Sequence, residues 1–120
     1  MKISEIKEKI INFENKNIET PVKKVSELGK ITGLMFKKKT TENLLFEFNE
    51  KTSFRIHSYF VFFDFLAIWL DKKNMVLEWK IVKSFTLNIK PKKSFFKLIE
   101  IPFNKKNEKI LKSFVGERKI

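Results

Sequence analysis

The chain has 120 residues and a formal net charge of +12, from 26 lysines and arginines against 14 acidic residues. A chain of this length fits one domain, residues 1–120, and buries about two-thirds of its surface, so a core can hold it without cross-links. Cysteine is absent, which excludes disulfides, thiol catalysis and cysteine-ligated metals. With one histidine and no clustered carboxylates, the sequence predicts neither a metal site nor a cofactor.

The N-terminal region predicts a β-hairpin. Two short β-prone runs, near Ile10–Phe13 and Ile18–Val25, are separated by turn-forming asparagines. Pro21 is then expected at an edge or a bulge, because proline donates no backbone hydrogen bond. Isoleucines at helical spacing leave a competing interpretation open, a helix from Ser4 to about Ile11. Frequent charges and no apolar run of signal-peptide length predict a cytoplasmic protein.

A short helix is predicted next, over Ser26–Leu34. Ser26 is a suitable N-cap, and apolar residues three and four apart form one stripe behind it. A polar loop follows at positions 37–43. The sequence then predicts a strand at Leu44–Phe48, with Phe46 and Phe48 on one face, and a turn over positions 49–53.

The most apolar part of the chain runs from Tyr59 to Leu70 and contains one charge, Asp64. It is too short for a membrane helix, which needs about 20 apolar residues. Its aromatic and β-branched composition predicts buried strands, and we expect a bend at Asp64 that separates Phe54–Phe62 from Phe65–Leu70. The side chains expected to be largely buried are Phe60, Phe62, Leu66, Ile68 and Leu70.

The C-terminal half continues the β pattern. We expect a turn at Asp71–Asn74, an alternating strand over positions 75–82, a break at Pro91, a strand stopped by Pro102 and a short helix within positions 104–114. Strand-like runs separated by turn residues every 8–12 residues predict a mainly β fold. The expected architecture is a small single-domain sandwich or partly open barrel with one or two short helices.

One group of candidate site residues surrounds the single histidine. A histidine can act as a general base near neutral pH, so a pocket around His57 is the enzyme hypothesis. The sequence identifies no partner for it, and a histidine hydrogen-bonded at a pocket rim is the structural alternative. Asp64 and Asp71 are acidic candidates that also fit simple turn positions. The candidate pocket residues are His57, Asp64, Asp71 and Lys30, and no catalytic residue is assigned.

Lysine clusters suggest a polyanion as the partner. The candidate polyanion-binding residues are Lys37, Lys38, Lys39, Lys90, Lys92 and Lys93, with a smaller pair at Lys105 and Lys106. Phe95 and Phe96 follow the second cluster, and aromatic rings beside a basic groove bind single-stranded nucleic acid. The alternative is an evenly solvated lysine surface, because net charge alone identifies no specific partner.

Six short motifs follow one another along the chain: "GLMF" (Gly33–Phe36), "LLFEF" (Leu44–Phe48), "IHSYFVFF" (Ile56–Phe63), "FLAIWLD" (Phe65–Asp71), "IKPKKSFFKLIEIP" (Ile89–Pro102) and "VGE" (Val115–Glu117). In this order they are similar to motifs of the domain-of-unknown-function family 192 (DUF192), most closely to its archaeal form. The resemblance spans about Val22–Ile120 and departs from the family pattern in two places. Asp64-Phe65-Leu66 stands where the family has Pro-Ile-Asp, and Lys30 stands where it has arginine.

The resemblance implies a compact, mainly β domain with one or two short helices, and it implies no reaction because the family has no assigned one. We therefore favour a non-enzymatic binding or accessory module over an enzyme. The two alternatives are a basic protein that binds nucleic acid or another polyanion, and an enzyme with its pocket around His57. The sequence predicts no transmembrane segment and leaves open a monomer or a small homo-oligomer.

Overall fold

The computed structural model describes residues 6–26 and 33–116, which contain one six-stranded sheet and one short helix. The sheet order is β1-β2-β3-β6-β4-β5, and every neighbouring pair is antiparallel except β2 and β3. The mainly β fold predicted from the sequence is confirmed. The elements are β1 (Ile6–Phe13), β2 (Lys16–Lys24), β3 (Leu44–Thr52), β4 (Phe65–Leu70), β5 (Val76–Val82), β6 (Phe95–Pro102) and, after a 3-10 turn at Lys105–Asn107, helix α1 (Glu108–Val115).

The first two strands form the predicted hairpin. Its turn residues Glu14 and Asn15 both have positive φ, which is the geometry that two-residue hairpins require. Pro21 pairs with β1 only, because the pairing of β2 with β3 is confined to Lys23 and Lys24. The competing helix from Ser4 to Ile11 is wrong from Ile6 onward, where the chain is extended.

Both faces of the sheet are covered. On one face, apolar residues from outside the strands pack onto the sheet, among them Leu34, Ile56, Val61 and Ile89. On the other face, α1 contributes an apolar side that packs against β1, β4 and β6. The strand β4 alternates between these two cores, so all six of its residues are at most 1 % exposed. Its identification as a buried strand is confirmed.

The sheet curls so that its two edges approach each other. The amide of Asn12 on β1 donates to the carbonyl of Asn74 at 3.0 Å, and Asn12 also forms an isolated bridge with Met75 just before β5. These contacts join the edge strand β1 to the turn between β4 and β5. The result is a half-barrel, which agrees with the partly open barrel expected from the sequence.

The predicted strand Phe54–Phe62 is wrong. In this segment Ile56 alone has a bridge partner, Ile89, and the chain makes a turn at positions 59 and 60. Phe60 and Phe62 are therefore 46 % and 62 % exposed, although both were expected in the core. The physical reason is that the segment lies over one face of the sheet and has only one core to pack against.

Smaller differences concern one predicted turn, the side-chain alternation of β5 and the first predicted helix. The turn expected at positions 49–53 is wrong, because β3 continues to Thr52. A bulge at Leu77 interrupts the alternation of β5, so Val76 packs on the same core as Trp79 and Ile81. For the helix predicted over Ser26–Leu34, positions 27–32 lie outside the described residues, and positions 33–36 form a turn.

The remaining elements agree with the sequence. Asp71–Asn74 is a turn, the chain breaks around Pro91, β6 ends at Pro102, and α1 lies where a C-terminal helix was expected. No helix in the described part of the chain is long and apolar enough to cross a membrane.

Candidate functional site

Five aromatic side chains lie exposed and in contact with one another, and we call them the aromatic surface. Phe36 stacks on Phe60 with ring centroids 5.0 Å apart, and Phe62 meets Phe85 edge to face at 5.4 Å. Tyr59 and Phe60 both contact Phe85, at 6.4 and 6.2 Å. Three chain segments that are distant in sequence thus present one continuous group of rings, formed by Phe36, Tyr59, Phe60, Phe62 and Phe85.

Three of these rings are held by an unfavourable backbone conformation. Phe36, Phe60 and Phe85 have φ values of 60°, 58° and 59°. Positive φ is uncommon for residues other than glycine and is a clear outlier for bulky side chains, because Cβ then approaches the following carbonyl. Such strain of about 1–3 kcal/mol persists where surrounding structure imposes it, and it concentrates at functional sites.

Backbone hydrogen bonds hold the residues in this conformation. The amide of Phe36 donates to the carbonyl of Phe60 at 2.9 Å, and the amide of Phe85 donates to the carbonyl of Ser58 at 2.8 Å. Ser58 is itself fully buried, and its hydroxyl accepts from the amide of Thr86 at 2.6 Å. Hydrogen bonds therefore join the segments that carry the aromatic surface to one another and to buried Ser58, and the rings themselves are exposed.

Two of the three predicted lysine clusters meet beside this part of the fold. The loop that follows Phe36 carries three exposed lysines, and its Lys39 carbonyl accepts from the Asn104 side-chain amide at 2.7 Å. The Lys106 ammonium donates to the carbonyl of Thr40 at 2.9 Å. We call the resulting group the basic loops, formed by Lys37, Lys38, Lys39, Lys105 and Lys106.

The other lysine cluster lies against β5. Lys80 donates to the carbonyl of Lys90 at 2.8 Å, and the amide of Lys92 donates to a Glu78 carboxylate oxygen at 2.9 Å. Lys93 and Asp71 both line a separate pocket. Of the two phenylalanines expected to stack beside this cluster, Phe95 is fully buried, and Phe96 is half-buried with the Lys72 ammonium 5.9 Å from its ring centroid.

A pocket of about 250 Å³ opens next to the aromatic surface. Apolar side chains line most of it, and exposed Arg55 and His57 lie at its rim. Glu100, on β6, contributes the one acid among the described lining residues. The described lining residues are Gly33, Leu34, Phe46, Phe54, Arg55, Ile56, His57, Val61, Phe65 and Glu100.

The carboxyl group of Glu100 is the most perturbed group of the described residues. Its strand position pairs with Leu44 on one side and Ala67 on the other, which places it inside the sheet, and the residue is 3 % exposed. Its Oε1 atom has no hydrogen-bond partner in residues 6–26 and 33–116. Burial raises the pKa of the Glu100 carboxyl to about 8, so the group is mainly protonated at neutral pH.

Gly33 allows the chain to pass close to this carboxyl group. Its φ is +52°, and a Cβ atom at this position would lie 3.4 Å from Glu100 Oε1. A larger residue would be strained by the backbone conformation and would also narrow the pocket. The glycine of the "GLMF" motif thus keeps space open around Oε1.

The structure separates the residues proposed from the sequence for a pocket. His57 lies at the rim, where its Nδ1 accepts from the amide of Tyr59 at 3.2 Å. Asp64 pairs with the Lys83 ammonium at 3.0 Å, and Asp71 accepts from the amides of its own turn. Neither acid lines the His57 pocket among the described residues, and Lys30 lies outside them.

Sequence reasoning missed Glu100 as a site residue. One signal was present, because Glu100 is the single charged residue in the apolar run from Leu98 to Pro102. Within the described ranges, no three histidine, aspartate or glutamate side chains converge to form a metal site.

Comparisons with known proteins support the fold alone. No protein-family model and no curated protein matches the chain. A crystal structure of a protein of unknown function from Novosphingobium aromaticivorans DSM 12444 superposes with a TM-score of 0.71 at 12% identity, over 81% of this chain and 73% of that one. A protein from Sinorhizobium meliloti 1021, described as a proposed transcription regulator, gives 0.65 at 16% identity, over 92% and 90%.

Proposed function

We propose that this chain is a non-enzymatic binding module and that its partner is single-stranded nucleic acid. The observation that carries the proposal is the aromatic surface, in which exposed rings are held in strained conformations beside exposed lysines. Bases stack on aromatic side chains with about 1–3 kcal/mol per base, and lysines bind the phosphates between them.

The charge around the aromatic surface supports an anionic partner. Lys37, Lys38 and Lys39 directly follow Phe36, and Arg55 and His57 precede Tyr59. Asp64 is the nearest acid in sequence to Phe62, and it is already paired with Lys83. A polyanion with flat hydrophobic faces therefore matches both properties of the surface, whereas duplex nucleic acid hides its base faces.

Binding is favoured over catalysis by the surroundings of the single histidine. The Nδ1 atom of His57 accepts a backbone hydrogen bond, and no described acid is hydrogen-bonded to the ring. A histidine that acts as a general base requires a positioned partner, either an acceptor or a nucleophile, within hydrogen-bond reach. Membership in DUF192 and a cytoplasmic location stay predictions, and they are compatible with a binding module.

The test is a titration of labelled single-stranded and duplex oligonucleotides at two salt concentrations. We expect binding of the single strand at low salt, with affinity falling by about 0.7 log unit per log unit of salt for each phosphate contact. Phe60→Gly should weaken it about tenfold, because one stacking ring is lost while glycine accepts the φ of 58°. The control is Ile10→Ala, which removes an exposed side chain on β1.

Thermal unfolding of Phe60→Gly and Ile10→Ala shows whether a loss of binding comes from a loss of folded protein. Phe60→Gly is expected to remain folded, and Phe60→Ala, which keeps the strained φ, should be about 1 kcal/mol less stable than Phe60→Gly. The proposal is contradicted if no oligonucleotide binds at low salt, if Phe60→Gly binds as well as Ile10→Ala, or if the chain binds anionic lipid vesicles in preference to oligonucleotides.

A further inference from the structure

The Glu100 pocket has the features of a small-ligand site. It combines apolar walls with one buried polar group, whose Oε1 atom lacks a hydrogen-bond partner in the described ranges. Buried polar groups are normally hydrogen-bonded, and each one that is not calls for an explanation. Its volume of about 250 Å³ lies just below the range of drug-sized sites, about 300–1,000 Å³, so it fits a single ring compound.

The charges around the pocket restrict the class of ligand. Arg55 and His57 are the other charged or titratable groups in the described pocket lining, and both lie on the exposed rim. Arg55 repels a cation at the entrance, in a chain that already carries +12. An anion would have to leave water and enter apolar walls without a cation at the buried end of the pocket.

We infer that the Glu100 pocket binds a small uncharged ring compound that carries an amide or lactam group. In its neutral form the Glu100 carboxyl group offers one O–H donor and one carbonyl acceptor, which match the C=O and N–H of an amide. Phe46, Phe54 and Phe65 supply apolar contact for the ring. This site is separate from the exposed rings, and its ligand does not depend on nucleic-acid binding.

Three probes of one shape test the inference: benzamide, benzoate and benzylamine, which are neutral, anionic and cationic at pH 7. Binding is followed by chemical-shift titration of the full chain. We expect benzamide to bind at millimolar concentration or below, and at least tenfold more tightly than either charged probe. The inference is overturned if benzamide fails to shift resonances of the pocket residues or if a charged probe binds more tightly.

Two variants separate the role of Glu100 from the shape of the pocket. Glu100→Gln keeps an amide donor and acceptor and should retain benzamide binding within about threefold, whereas Glu100→Leu should weaken it at least tenfold. Both remove a buried ionisable group, so neither is expected to unfold more readily than the natural chain, and thermal unfolding checks this.

The pH dependence provides a third readout. Because the neutral carboxyl group is the binding form, benzamide affinity of the natural chain should fall as pH rises from 7 to 9. The affinity of Glu100→Gln should stay constant over the same range. Equal pH profiles for the two proteins would overturn the assignment to Glu100. Oligonucleotide binding is measured in a separate experiment. A negative result for the Glu100 pocket therefore does not affect the nucleic-acid proposal, and the reverse also holds.

Discussion

Two neighbouring regions of the chain are both largely apolar and have opposite surroundings. The strand β4 and residues 54–63 are both rich in aromatic and aliphatic residues, yet every side chain of β4 is buried and four of the ten in the other region are exposed aromatic or histidine rings. β4 has a strand on each side and a core on each face. Burial here depends on the number of covered faces more than on hydrophobicity.

The largest expected effect is on the free energy of unfolding. It should differ strongly between two alanine substitutions, one on each side of the bend at Asp64. Phe65→Ala removes a ring that is 1 % exposed at the start of β4, and it should lower the free energy of unfolding by about 3–5 kcal/mol. Phe62→Ala, three residues earlier, removes an exposed ring and should change it by less than about 0.5 kcal/mol. Urea denaturation measures both.

Equal losses of unfolding free energy for Phe65→Ala and Phe62→Ala would contradict the view that the two regions differ in burial. A cost above about 2 kcal/mol for Phe62→Ala would mean that the aromatic surface is buried in solution, for example against a second copy of the chain. A dilution series of Phe62→Ala and the natural protein by light scattering distinguishes that case from misplacement of the ring.

Much of the fold could be predicted because local signals and tertiary structure agree. Asn15, the turn at Asp71–Asn74 and the prolines at positions 91 and 102 each lie at a real boundary, whereas Asn17, also expected in the first turn, lies inside β2. The buried strand β4 was recognisable because a continuous apolar run of six residues is typical of a strand covered on both faces.

The candidate site could not be predicted, because it depends on contacts between segments that are distant in sequence. Phe36 meets Phe60 across 24 positions, and its positive φ is imposed by a hydrogen bond to Phe60 rather than by its own preference. The burial of Glu100 likewise follows from its two neighbouring strands. Composition alone shows a glutamate in a strand and does not show whether water reaches it.

Glu100 lies between the two regions, because it pairs in register with Ala67 of β4 and lines the pocket against residues 54–57. Its pKa is raised by burial from 4.5 to about 8, so between these pH values the folded state keeps a proton that the unfolded state has lost. Stability should therefore fall as pH rises through this window. Glu100→Gln should remove that slope and stabilise the chain by about 3 kcal/mol at pH 7.

Urea denaturation of both proteins at pH 4.5, 7 and 8.5 measures the effect. The difference between them should be small at the lowest pH and largest at the highest. A constant difference would show that the Glu100 carboxyl titrates alike in the two states and is reached by water.

The smallest expected effect concerns the bend itself. Asp64 pairs with the Lys83 ammonium at 3.0 Å, and the two side chains are 36% and 73% exposed, so the pair should contribute only about 0.2–1 kcal/mol. The bend has a second, backbone restraint, because the carbonyl of Asp64 accepts from the amide of Phe103 at 3.0 Å. Substitution of the side chain leaves that bond in place.

A double-mutant cycle with Asp64→Asn and Lys83→Ala measures the coupling between the two side chains, and high salt should reduce it further. A coupling above about 2 kcal/mol would contradict the view that the backbone holds the bend. Asp64 was a candidate for acid-base chemistry with His57, and that role requires more than a surface ion pair. If the cycle gives a small value and neither substitution changes benzamide or oligonucleotide binding, Asp64 acts at the boundary between the buried and the exposed region and takes no part in either site.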